Sequence, residues 1–123
     1  MLTSIHTPPD NPPLTAPVFH ILLSLAEEER HGYAIMQDVA IQTHGVLQLG
    51  PGTLYGCLKR MVAAGLVAES EERPDSGVGD ERRRYYEMTP LGRRVARAEA
   101  ERLDNAVNAA RSRRLLDPSG AKL

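Results

Sequence analysis

Residues Gly50 to Val67, GPGTLYGCLKRMVAAGLV, constrain the fold of this chain more than any other stretch. Leu54, Leu58, Met61 and Val62 recur three and four residues apart, which lays an apolar stripe along a helix of period 3.6. Pro51 suits the first turn, where a missing N–H costs nothing, and Gly65 suits the left-handed residue that stops a helix. The opposite side carries Thr53, Tyr55, Gly56, Lys59 and Arg60, small and hydroxylated at first and then cationic. A short helix that commits one side to a core and offers such an outer side is of the kind a DNA major groove admits.

The flanking segments supply neighbours for that helix. Upstream, Thr15 and Pro17 open a helix whose residues Val18, Phe19, Ile21, Leu22, Leu23, Leu25 and Ala26 cover nearly its whole circumference. A helix apolar all round is buried on more than one side, so part of it is expected to meet a second subunit, with Phe19 and Leu22 offered to that contact. After the polar break Glu27–Arg30, His31-Gly32 precedes a second helix with Ile35 and Val39 one turn apart, and Gly45 is expected to stop it. Two helices joined by a short turn, the second with a polar outer side, describe helix-turn-helix geometry.

Downstream, residues 66–70 read as a strand start, 69–81 as a polar loop and 82–88 as a strand. Alternation sets Arg84, Tyr86 and Met88 on one side and Arg83, Tyr85 and Glu87 on the other. A hairpin in this position is a wing. Thr89-Pro90 then begins a last helix reaching about Leu115, with a narrow seam of Ala96, Ala100, Leu103, Val107 and Ala110. So polar a helix does not fold stably alone and is expected to pack on a partner. The fold class is therefore mainly α with a small β-hairpin: a winged helix-turn-helix plus a C-terminal dimerisation helix. The expected divisions are a flexible arm over 1–14, a DNA-binding domain over 15–90, a dimerisation helix over 91–116 and a flexible tail over 117–123.

Bulk properties narrow the function classes. At 123 residues the chain is one domain with a modest core. Its formal net charge of −1 gives no general attraction to nucleic acid, but the charge is uneven: −4 up to Gly50, +2 over 51–97 and +1 beyond. DNA binding would thus use a local patch rather than a basic body. The proline-rich start has no Lys or Arg, which rules it out as a minor-groove arm. The single cysteine, Cys57, allows no intrachain disulfide and fits a reducing compartment. There is neither a signal-like start nor an apolar run long enough to span a bilayer, so a cytoplasmic protein without membrane contact is expected.

The order of elements and particular residues resemble the PadR family of winged-helix transcriptional regulators. The pieces are His31-Gly32-Tyr33-Ala34-Ile35, Gly50-Pro51-Gly52-Thr53-Leu54-Tyr55, Leu58-Lys59-Arg60-Met61, Gly65-Leu66-Val67 and the run from Arg83 to Arg93, RRYYEMTPLGR. The resemblance covers roughly Thr15 to Arg114. It implies a homodimer joined through the terminal helices, a pseudo-palindromic double-stranded operator, usually repression, and a compact subgroup with one C-terminal helix. A small-molecule inducer is in keeping with it. Gly50 stands where the family often has a Ser-like cap, and the absence of Trp removes the residue that drug-trapping members use in the dimer interface.

The DNA-contacting residues expected are Thr53, Tyr55, Gly56, Lys59 and Arg60 from the helix and Arg82 and Arg83 from the wing. Thr53 fits a phosphate at the helix start or a cap on its own helix equally well. Arg84, on the side of Tyr86 and Met88, is left between DNA and an internal acid. Cys57 reads as a packed cysteine rather than a redox sensor. His6, His20, His31 and His44 show no metal-ligand spacing, and neither a metal nor a cofactor is expected. His31 reads as a surface or packing residue. No nucleophile–base pair, carboxylate pair or phosphate loop recommends an enzyme. The competing reading is a winged-helix protein–protein interaction module that does not bind DNA.

Overall fold

A computed structural model describes residues 13–74 and 82–118 of the chain. Its elements run α1 (Ala16–Ser24), β1 (Arg30–His31), α2 (Gly32–Gln42), α3 (Pro51–Ala63), β2 (Val67–Pro74), β3 (Arg82–Met88) and α4 (Pro90–Ser112). The expected arm up to residue 12, the wing tip at 75–81 and the last five residues of the tail lie outside the described residues.

Each helix begins and ends for a local reason. Thr15 Oγ1 accepts from the Val18 N–H at 3.4 Å and caps α1, with proline in the first turn. His31 caps α2: its Nδ1 accepts from the Ala34 N–H at 3.2 Å, and its ring meets Tyr85 edge-on at 5.5 Å. The sequence reading gave His31 no such role. At the other end of α2 both His44 (φ 52°) and Gly45 (φ 81°) are left-handed, and the Gly45 N–H reaches back to the Ala40 carbonyl at 2.8 Å. Gly45 thus stops α2 as expected, with His44 sharing the left-handed turn. Gly65 (φ 80°) ends α3 as expected, with Gly65 N–H on Val62 O and Leu66 N–H on Met61 O, the paired bonds of a Schellman close.

The sheet is antiparallel throughout, in the order β1-β3-β2. Only the β2–β3 hairpin was expected. Two residues of extended chain carry no periodic signal, so β1 exists through its pairing of Arg30 with Tyr86 and His31 with Tyr85. β2 also runs further than expected, to Pro74, because β3 supplies a ladder for residues that read as loop. Between Glu69 and Glu72 the register slips. There Ser70 Oγ accepts from the Tyr85 N–H at 3.1 Å, replacing the missing ladder partner.

Residues Leu14–Ala96 form one compact unit. Its core gathers Ile21, Leu22 and Leu25 near α1, Ile35 and Val39 from α2, Leu49, and Leu54, Cys57, Leu58 and Met61 from α3, with Val67, Tyr86 and Ala96. Leu14, assigned to the arm by sequence, packs against this core. Val62, counted in the buried stripe of α3, is 36 % exposed because it lies to one side of the line through Leu54, Leu58 and Met61. Leu22 was offered to a second subunit but is fully buried, so its side chain is used up inside its own unit. Ala96 is likewise buried, whereas Phe19 is half-buried and Leu23 exposed.

Polar ties close the open helix ends. Arg30 Nε donates to the Ser24 carbonyl at 2.6 Å, and Arg93 donates to the Ala26 carbonyl at 2.7 Å. Thr89 joins the end of α3 to the start of α4: its hydroxyl donates to Gly65 O at 2.6 Å and accepts from the Gly92 N–H at 3.0 Å. Gly92 passes so near β2 that a Cβ would overlap the Leu66 carbonyl oxygen. The described residues from Arg97 onward fall outside this unit. Along them Ala100 is exposed, Leu103 and Val107 are each 37 % exposed, and Ala110 is half-buried.

Candidate nucleic-acid interface

α3 meets the core through Leu54, Cys57, Leu58 and Met61, and this fixes its rotation. With that side committed, Thr53, Tyr55, Lys59 and Arg60 are exposed and Gly56 is half-buried between them. No side chain caps the start of α3, since Gly50 has none to offer, and Pro51 brings no N–H. Helix starts of this kind carry partial positive charge and unpaired donors.

Tyr55 is held in place from below. A Cβ built on the buried Gly32 would overlap the Tyr55 hydroxyl and lie 2.6 Å from its Cζ. The glycine that opens α2 therefore makes room for the ring that crosses it. Glycine is costly at a helix position, and its place between His31 and Tyr33 was the signal from which this role could have been read. Two open grooves share Tyr55 and Tyr86 in their walls. One, of about 330 Å³, is lined by His31, Gly32, Tyr55, Glu72, Arg83, Arg84 and Tyr86. The other, of about 270 Å³, is lined by Tyr55, Lys59, Val62, Glu69 and Tyr86.

The arginines behave differently from one another. Arg60 turns back along α3, its guanidinium 3.5 Å from Cys57 Sγ, and lies over Gly56. Arg83 sits over the exposed Tyr33 ring at 5.6 Å and shares a groove with Tyr55, which brings wing and helix residues together. Arg84, left open by the sequence, pairs with two acids of β2: Glu69 at 3.7 Å and Glu72 at 3.7 Å. Of Arg82 the strand position is described, opposite Pro74, and its side chain lies outside the described atoms.

Between the grooves, the Tyr86 hydroxyl donates to Glu69 Oε2 at 3.1 Å. Burial, then this bond and the charge of Glu69, push the phenol up to about 12, so it remains a neutral donor at any working pH. Cys57 is buried on the inner side of α3, as a packed cysteine would be. Glu69 and Glu72 could not be placed from sequence because their positions depend on strand register, and the role of Tyr33 in α2 depends on Arg83, which is distant in the chain.

A family model described as the transcriptional regulator PadR-like family matches residues 21–98. Transcriptional regulator Rv3488 of Mycobacterium tuberculosis is 42 % identical over 74 residues, covering 60 % of this chain and 63 % of that protein. An uncharacterized 37.1 kDa protein in transposon TN4556 of Streptomyces fradiae is 40 % identical over 80 residues, 65 % of this chain but 21 % of that protein. The chain thus spans less than two thirds of either relative. Among solved structures, a PadR family transcription regulator from Clostridium difficile R20291 superposes with a TM-score of 0.66 at 20 % identity, covering 80 % of this chain and 97 % of that one. Bacillus subtilis PadR in complex with operator DNA gives 0.56 at 17 % identity, covering 66 % and 44 %. These two likenesses show the shared fold.

Proposed function

The chain belongs to the PadR-like family of transcriptional regulators, and from that premise we propose that it is a homodimeric DNA-binding repressor released by a ligand or signal. Family membership also answers the question of catalysis, because these proteins are regulators and not enzymes. The observation that carries the DNA reading is the rotation of α3, whose Leu54, Leu58 and Met61 are buried while Thr53, Tyr55 and Lys59 are exposed.

In this reading the Thr53–Lys59 side of α3 enters a major groove. The uncapped helix start and Thr53 take a phosphate, Tyr55 touches a base edge or the backbone, and Lys59 anchors a second phosphate. Arg83 and the wing lie along the flanking backbone. Two copies joined through the open stretch of α4 would read a pseudo-palindromic operator whose half-site centres lie about one helical turn apart. Release follows if an effector favours a dimer in which the two heads no longer match that spacing. The operator complex of Bacillus subtilis PadR supports the reading by analogy of fold.

The test is a mobility shift on DNA upstream of the protein's own coding region, and on fragments selected from a random pool. Discrete complexes that survive physiological salt are expected. Absence of any shift even at low salt would replace this reading with that of a protein-interaction module.

A further inference from the structure

On the exposed side of α3, cations would be expected to dominate, yet two carboxylates open on it. Glu69 lines the groove shared by Tyr55 and Lys59, and Glu72 lines the groove shared by Tyr55 and Arg83. Both hold the same guanidinium. Arg84 Nη1 is 3.7 Å from Glu69 Oε1, and Arg84 Nη2 is 3.7 Å from Glu72 Oε2. Glu69 is fixed from a third direction by the Tyr86 hydroxyl at 3.1 Å. All three charged side chains are between 38 % and 57 % exposed. Ion pairs this open contribute little to stability, typically under about 1 kcal/mol. Folding therefore gives no strong reason to place two acids beside a DNA-facing helix.

We propose that Glu69 and Glu72 are specificity-determining residues, which hold Arg84 off the phosphates and so suppress binding to non-cognate duplex. The proposal rests on the reading of this side of α3 as the DNA contact. Its physical basis is that sequence-independent binding is almost wholly electrostatic. A loosely seated protein has no fixed register, so any free arginine finds a phosphate. At the operator, base contacts fix the register, and one further cation adds less. Withholding Arg84 thus weakens the wrong complexes more than the right one. The bulge between Glu69 and Glu72 is what lets two acids of one strand reach one guanidinium.

The test uses the full chain, a random-sequence duplex and the fragment selected from a random pool, each titrated over a range of salt. Glu69→Gln keeps the shape and an acceptor for the Tyr86 hydroxyl. It should tighten random-duplex binding by about three- to tenfold, steepen the salt slope by about one and raise selected-fragment affinity by less. Glu72→Gln should do the same to a smaller extent, and serves if the first variant has a lowered melting temperature. Arg84→Gln alone should leave random-duplex affinity within about twofold of wild type, while Glu69→Gln with Arg84→Gln should lose the gain. The proposal is overturned if neither acid variant binds random duplex more tightly, or if Arg84→Gln alone weakens binding as a lost phosphate contact does. Wild-type protein that ignores both duplexes at low salt would remove the DNA reading itself, and this proposal with it.

Discussion

α3 and the later part of α4 each carry an apolar stripe, but only one of them is closed. In α3 the stripe of Leu54, Leu58 and Met61 is at most 2 % exposed, walled in by its own unit. In α4 the seam starts buried at Ala96 and then opens, with Leu103 and Val107 each 37 % exposed. Burial of each large apolar side chain stabilises a fold by about 1.5–3 kcal/mol at most. The α3 stripe therefore explains how that helix is held within one subunit, and the α4 seam does not explain how its own helix is held. In the proposed dimer, the difference teaches where a second copy would act: it would complete the seam of α4, whereas α3 is positioned without it.

The largest effect should come from opening the closed stripe. Leu54→Ala leaves a void under α3 and should cost about 2–5 kcal/mol of stability, read as a marked fall in melting temperature. Little change would mean that α3 is held by something other than this packing. Filling the open seam with charge is the complementary break. Leu103→Glu or Val107→Glu should yield single subunits by sedimentation while the melting of the core remains cooperative, and an intact dimer would refute the seam.

Next in size are changes on the outer side of α3. Tyr55→Ala should weaken operator binding roughly tenfold or more, with stability altered by about 0.5 kcal/mol or less. A large stability loss would mean that the ring belongs to the core. Gly32→Ala should reproduce much of that weakening by displacing the ring, and should add nothing in a Tyr55→Ala background. Additive losses would break the link between the two residues. The smallest effect is expected from Lys59→Gln, which should lower the salt slope by about one and weaken all duplexes alike.

The parts of the molecule that could be read from sequence are those with a local cause. Pro51 and Gly65 bracket α3 because a ring without N–H and a left-handed turn act on their immediate neighbours. Thr15 and Thr89 mark helix starts for the same reason. What escaped depends on partners distant in the chain. β1 is a strand only because β3 lies beside it, and Glu69 reaches Arg84 only through the slipped register. Leu22 shows the limit of periodicity on an apolar helix: with hydrophobic residues on every side, spacing could not tell the inward side from the outward one.

Cys57 lies on the inner side of α3 at 4 % exposure, and the chain has no other cysteine. A thiol must meet solvent and ionise before it is alkylated, so a labelling reagent reaches this one only while α3 is lifted from its bed. The protein thus contains its own stopwatch for the opening of that helix. Alkylation followed by mass spectrometry times those excursions without a probe being added, and DNA seated against the outer side should slow the clock.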